Sequence, residues 1–415
     1  MGKRKNLALS MLLGCGALFA NDEVEVLRKQ VQELSQKIDS IEKQQKVQKG
    51  VLELVSTDTV LSIGGRIQLN GAYSSPDASY FASKIPANSE QKSDKFSMNA
   101  RDSRLWVKTR TPSEYGMIRT TLEIDFFGSA ATNVSVNDHN PRLRHAYVQV
   151  GDFGFGQTNS AFNSVVAIET ANYAMDDTFV RQPVVRYTHN SGDWAWDVSF
   201  EEPNAMFFKD GSSSLVKGGS DTLPDLVLRG RYFDTWGEVG LAYLSRYIRY
   251  KEDDNTLPTF GTSDAKYGYG LNLSGRIKTF GLDGIRFNAH YGEGSGRYIA
   301  YNGFGAGTIT SQGAIELTEI YGGHIGYRHW WSTKLRSTLA FSYIGANTSD
   351  EALGYGGDPK KTNITKESYA TQLNLFYNPL KNLLAGVELS DATRKFKDGR
   401  RGDAQAVNLI VRFDF

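Results

Sequence analysis

From Thr59 to the C-terminus, apolar and polar residues alternate with a period of two. In 59–73, Leu61, Ile63, Ile67, Leu69 and Tyr73 share one face, while Ser62, Arg66, Gln68 and Asn70 share the other. The same rhythm sets Leu271, Leu273 and Ile277 against Asn272, Ser274, Arg276 and Lys278, and it closes the chain with Val407, Leu409, Val411, Phe413 and Phe415. A period of two marks strands with one apolar face. Strands are predicted near 59–73, 95–110, 116–127, 142–150, 153–160, 179–188, 193–202, 224–233, 237–250, 266–279, 284–297, 315–330, 332–346, 365–378, 382–397 and 403–415, sixteen in all. The fifth is the least marked, which leaves fourteen or eighteen strands as alternatives. Short connections such as Gly151-Asp152 and Asn378-Pro379 alternate with long ones such as 74–94, 128–141, 161–178 and 203–223. An even number of antiparallel strands, with short turns on one side and long loops on the other, is the layout of a bacterial transmembrane barrel. Tyr115, Trp194, Trp236, Phe280, Trp330, Trp331 and Tyr377 lie beside the short turns, where an interfacial aromatic girdle is expected.

Before Thr59 the period changes. Over residues 22–55 the apolar positions step three and four, with Val24, Val31, Ile38 and Leu52 at a and Leu27, Leu34, Ile41 and Val55 at d, interrupted by Gln45 and Gln48. Glu25, Arg28, Lys29, Glu33, Lys37, Asp39, Glu42 and Lys43 fill the exposed positions. This predicts a coiled coil over 21–56, and the mixed Val/Ile and Leu/Ile seam leaves dimer and trimer both open. Residues 1–20 read as a secretory signal peptide: Lys3, Arg4 and Lys5, an apolar stretch from Leu7 to Leu13, and Ala20 before a cut at Asn21. Leu12-Leu13-Gly14-Cys15 is an imperfect lipoprotein box, so lipidation at Cys15 competes with that cleavage; both readings imply export. The expected organisation is a signal at 1–20, a periplasmic coiled coil at 21–56 and an outer-membrane barrel at 57–415.

Composition narrows the function classes. Hydrophobic residues make up 40% of the chain, mean hydropathy is −0.41, and no run of 18 apolar residues lies beyond the N-terminus, so spanning helices are not expected. A formal net charge of +1 argues against a nucleic-acid binder working through a global basic field. Cys15 is the one cysteine, which excludes thiol catalysis and cysteine metal sites from the exported portion. The histidines at 139, 145, 189, 290, 324 and 329 form no Ser–His motif, and His324 and His329 fall on opposite faces of one strand. No catalytic residue, metal or cofactor is predicted.

Charge is unevenly distributed all the same. Arg66, Arg104, Lys108, Arg110, Arg119, Arg186, Arg229, Arg231, Arg276 and Arg286, with Lys278, Arg328 and Arg336, recur opposite the apolar face. A lipid-facing Arg at the bilayer midplane costs roughly 2–4 kcal/mol, so these side chains are assigned to the lumen. Inward acids such as Glu123, Asp125, Asp197, Glu201 and Glu388 neutralise some of them. The excess points to a positive lumen that concentrates anions and guides carboxylate or phosphate oxygens through guanidinium forks. Segment 161–178 is unusually apolar for an outer loop, with Val165, Val166, Ile168 and Met175. It is expected to fold inward, in part as a short helix, and to narrow the channel; packing at a subunit interface is the alternative. Glu169, Asp176 and Asp177 would then form a negative wall facing the arginines.

The layout of signal, coiled coil and barrel resembles the DcaP-like family of trimeric outer-membrane porins. The resemblance is carried by Gly64-Gly65-Arg66-Ile67-Gln68-Leu69-Asn70-Gly71, Ser103-Arg104-Leu105-Trp106-Val107-Lys108-Thr109, Arg142-Leu143-Arg144-His145-Ala146-Tyr147-Val148, and Gly156-Gln157-Thr158 with Phe162. It implies a homotrimer in contact with outer-membrane lipid and lipopolysaccharide, and uptake of small anionic solutes. It also places Arg144 at a strand-four position that tends to face the constricting loop. By parity alone Arg144 is ambiguous, because Ala146 and Val148 share it. The expected function is a porin for small, preferably anionic solutes. The alternative is a structural barrel that ties the outer membrane to the cell wall through its coiled coil.

Overall fold

The computed structural model describes residues 58–75, 81–90, 93–128, 139–171, 175–209, 215–218, 221–251, 263–354 and 363–415, together with the backbone of 51–55. The signal peptide and the coiled coil as far as residue 50 lie outside the described residues.

Sixteen antiparallel strands close into a barrel. They are Val60–Ser75, a second strand in two stretches (Lys95–Asn99 and Arg104–Ser113), Gly116–Asp125, Arg142–Val150, Phe153–Asn159, Arg181–Ser191, Trp194–Glu201, Asp225–Asp234, Gly237–Lys251, Ser263–Lys278, Gly284–Glu293, Glu319–Trp330, Leu335–Asn347, Thr365–Leu380, Leu383–Phe396 and Arg401–Asp414. The seam joins the first strand to the last, in register from Arg66 opposite Asp414 to Ser75 opposite Gln405. Gly65 and Phe415 exchange two backbone hydrogen bonds of 3.0 Å at its lower end. Pairing the first strand with the last closes the sheet, which is the condition for placing strands in hydrocarbon.

The two faces are inverted relative to a soluble protein. Leu69, Leu105, Leu122, Leu241, Leu273, Leu339, Leu389 and Leu409 point outward and are exposed, whereas Asn272, Ser274, Asn288, Thr338, Gln372, Asn374, Glu388 and Asn408 point inward and are buried. Beside the short turns, Tyr115, Trp194, Trp236, Phe280, Trp331 and Tyr377 are exposed, as a girdle requires. Trp330 is not part of it. It shares the inward parity of Arg328 and lies 5.0 Å beneath the Arg336 guanidinium.

Three local departures matter. Val51–Val55, expected as the last heptad of the coiled coil with Leu52 at a and Val55 at d, is a strand paired antiparallel with Val60–Gly64. The free edge of the first strand below Phe415 offers backbone partners that a helix there would leave unpaired. The strand expected from 315 starts at Glu319, because Ile315–Leu317 joins Met206–Lys209, Val216–Lys217 and Gly307–Ile309 in a separate four-stranded sheet built from the long loops. Between the third and fourth strands, the register slips by one residue: Glu123 pairs with His145 but Ile124 with Leu143. Arg144 is the extra residue of this bulge.

Among the described residues, no α-helix occurs. Segment 161–171 and 175–178 runs inside the barrel as irregular chain, not as the short helix expected. A stripe of small inner-wall residues receives it. A Cβ added to Gly240, Gly270 or Gly326 would meet Val165, Phe162 and Ile168 respectively. Ala340, Ala370, Ala392 and Ala404 pack with Ile168, Met175 and Ile85. The segment is apolar because it forms a second, internal core against this stripe. Residues 82–87 from the first long loop lie over it, tied down by Arg394, whose Nη1 donates to the Ile85 carbonyl at 3.0 Å.

Next to the bulge, Gly156 has a φ of +114° and its α-carbon faces the Ala146 carbonyl, which an added Cβ would meet at 2.2 Å. Neither the backbone angle nor that contact can relax through a side-chain rotation. Gly156→Ala is expected to destabilise the barrel by about 1–3 kcal/mol, read as a lower midpoint in denaturant-induced unfolding in detergent. Gly192→Ala is the comparison, since its φ is also positive but nothing lies within 4 Å.

Candidate functional site

The interior divides into two walls. The inward segment is fastened to the wall formed by the ninth to fifteenth strands. Val165 N–H donates to Ser274 Oγ at 3.0 Å, and Thr178 Oγ1 accepts from Asn272 and Asn288 at 3.0 and 3.2 Å. Thr170 Oγ1 and Ala171 N–H donate to Glu388 at 3.0 and 2.9 Å, and Asn374 Nδ2 donates to the Glu169 carbonyl at 2.8 Å. The facing wall, made by the last strand and the first eight, carries most of the predicted cations.

On that wall the charges come in clusters. Arg144 Nε donates to Glu123 at 2.6 Å and its Nη1 to Asp125 at 2.6 Å, while Arg142 holds Asp125 through Nε and Nη2 at 3.0 and 2.7 Å. Arg104 approaches Glu123 at 3.6 Å. The bulge is what makes this cluster. In an unbroken register Arg144 would follow Ala146 and Val148 to the outward face; with the slip, Arg142, Arg144 and His145 all face inward. Arg66 is paired to Asp414 at 2.7 Å, and Arg229 and Arg231 share Asp197 at 2.8 and 3.5 Å. Arg186 donates to the Asn159 carbonyl at 2.7 Å and lies 3.7 Å from Glu201.

Nearer the short turns the pairing thins. Lys108 sits 5.7 Å over the Trp106 ring, and Arg110 and Arg119 are exposed and directly opposite each other in register. Among the described residues, none of these three has a carboxylate within 4.0 Å. On the other side of the barrel Arg276 opposes Arg286 in register and reaches Glu238 at 3.1 Å.

The acids of the inward segment do not act as a group. Glu169 binds Arg336 through two hydrogen bonds of 2.8 and 2.5 Å and lies 3.6 Å from Arg328. Both arginines belong to the wall that the segment packs against. Asp176 is buried and turned away from the arginine wall, accepting from Ser83 N–H and Oγ at 3.0 and 2.8 Å and from Ser368 Oγ at 2.7 Å. Burial pushes its carboxyl above the ordinary carboxylate range, against those hydrogen bonds. Asp177 accepts from its neighbour Thr178 at 2.7 Å and lies 3.5 Å from His324. The expected single negative wall is therefore corrected: Glu169 does meet two of the predicted lumen arginines, but Asp176 faces serines and Asp177 bonds within its own segment, so Glu169 and Asp176 fasten the segment, whose buried side must satisfy its own polar groups.

Sequence reasoning missed Arg142, the second holder of Asp125, and Arg246, which is fully buried against Asp225 at 3.0 Å in a network with Tyr298. Arg246 follows the strand period but lies where the long loops close over the barrel, and no local pattern marks that closure. Glu169→Gln should remove the paired acid while leaving Arg336 buried, at a cost of roughly 2 kcal/mol. Thermal unfolding of the variant should show a lower midpoint, and single-channel current should become noisier as the segment loosens.

The sequence matches the DcaP outer membrane protein family model over residues 23–415. Comparison with curated proteins finds no match. Among solved structures, the chain is similar to the outer membrane channel DcaP of Acinetobacter baumannii, with a TM-score of 0.70 and 22% identity over 87% of this chain and 99% of that one. It is more distantly similar to OmpT of Vibrio cholerae (TM-score 0.54, 10% identity, 88% and 100% covered) and to an anion-selective porin from Comamonas acidovorans (0.54, 11%, 86% and 100%). These likenesses show the fold of outer-membrane channels, and with the family match over nearly its whole length the chain belongs to the DcaP outer membrane protein family.

Proposed function

We propose that this outer-membrane channel prefers small anions, and that it does so because the cations of the wall facing the inward segment outnumber the acids there. The observation that carries the reading is the set Lys108, Arg110 and Arg119, which has no carboxylate within 4.0 Å among the described residues, whereas Glu123, Asp125, Asp197, Glu201 and Asp414 are each already engaged by one or more arginines. A hydrated interior of net positive potential raises the local anion concentration. Arg66, Arg104, Arg144, Arg186, Arg229 and Arg231 serve as a fixed, partly neutralised lining along which a carboxylate or phosphate group exchanges hydrogen bonds. Arg276 and Arg286 extend that lining on the opposite side. Segment 161–178 acts as the constriction, with Glu169 as its anchor.

The same reading includes a homotrimer whose outward face meets lipid and lipopolysaccharide, a signal peptide removed after Ala20 and a coiled coil in the periplasm. The solved OmpT of Vibrio cholerae includes a trimer form, which supports the first of these by analogy of fold. A purely structural barrel, anchoring the membrane to the cell wall, remains the rival.

Liposome swelling separates the two. Vesicles containing the purified protein should swell in isotonic small organic anions several times faster than in zwitterions of equal size; no swelling in either solute would favour the structural anchor. Removing about ten residues from the centre of 161–178 should raise unit conductance and reduce the anion preference. An unchanged conductance would mean that the segment does not limit flow.

A further inference from the structure

Arg110 and Arg119 are an in-register pair on neighbouring antiparallel strands, three residues from the tight connection between Ser113 and Gly116. Like charges placed directly opposite each other weaken a strand pair. Elsewhere on this wall the structure relieves such a conflict with acids: Arg66 also opposes Arg104, but Asp414 and Glu123 stand beside them. The Arg110–Arg119 rung has no such relief among the described residues, and both side chains are exposed. Continuing across the barrel, the rung passes through the uncharged Gln149 and Gly154 to Arg186, and Lys108 lies one inward position above Arg110.

We infer that Arg110 and Arg119 form a discrete binding site for one doubly charged oxyanion at the periplasmic mouth of the channel, with Lys108 as the step above it. Opposed Cβ atoms stand about 4.5–5.5 Å apart, so two guanidinium forks can close on a single anion from both sides. Each fork presents paired N–H donors that match two oxygens of a carboxylate, sulfate or phosphate group. Two charges on the ligand cancel the repulsion between the two arginines, which one chloride does only in part. Exposure keeps the exchange fast: the anion is held by hydrated groups at an open mouth, not enclosed. The inference rests on the channel reading above but locates a site away from the Glu123–Asp125–Arg144 cluster.

The test uses the full chain in planar bilayers, with chloride as the current carrier and inorganic sulfate added on the side of the short turns. Wild-type chloride current should fall saturably as sulfate rises. Arg110→Gln and Arg119→Gln should each raise the half-blocking sulfate concentration about tenfold, in line with the loss of a charge-assisted hydrogen bond. The pair Arg110→Lys and Arg119→Lys keeps both charges but not the forks, and should lose most of the sulfate affinity. Glu114→Gln, in the adjoining turn, should leave the block as in wild type. Equal sulfate block in wild type and in both Gln variants would overturn the site while leaving the channel standing. Absence of chloride current in every protein would overturn both.

Discussion

Hydrocarbon offers the backbone no hydrogen-bond partners, so a chain that crosses it with strands must close its sheet and send every charge inward. That constraint organises the rest of the molecule. It fixes the seam between Val60–Ser75 and Arg401–Asp414, and it leaves Leu, Phe and Trp on the surface while Asn, Ser, Gln and Glu are buried. It also crowds the arginines into one space, where they must find acids, water or passing anions. The interior solves this unevenly. One wall is covered by an irregular segment that brings its own apolar core and its own acids; the other is lined by guanidiniums, some bridged by carboxylates and some not.

Much of this was legible in the sequence because a period of two ties each residue to a face. All sixteen strands and the outward and inward sets follow from alternation, and Leu273 against Asn272 is as clear in the sequence as in the barrel. What escaped depends on partners distant in the chain. Arg144 faces inward only because the neighbouring strand lacks a residue to match it, a fact about pairing that its own strand does not encode. The Gly240, Gly270 and Gly326 stripe is spread over the ninth, tenth and twelfth strands and becomes a groove only when the sheet brings them to one wall. Val51–Val55 continues an apolar heptad, yet the open edge of Val60–Gly64 captures it as a strand. Trp330 sits beside a turn like its neighbour Trp331, but opposite parity sends the two to opposite faces.

The candidate site was legible in kind more than in arrangement. The inward arginines were identifiable from the lipid cost of the alternative register. Which of them are neutralised was not, since an ion pair such as Arg66 with Asp414 joins residues at the two ends of the chain. The acids of 161–178 illustrate the same limit. Their positions suggested a charged wall, whereas Asp176 is spent on Ser83 and Ser368, and Glu169 on Arg336.

The central question is whether the residual positive charge along the arginine wall governs permeation. The zero-current potential of reconstituted wild-type channels, measured across a potassium chloride gradient, reads this directly. The expected potential has the sign set by chloride as the more permeant ion and grows as both solutions are diluted and screening weakens. A potential near zero, or one set by potassium, would contradict it.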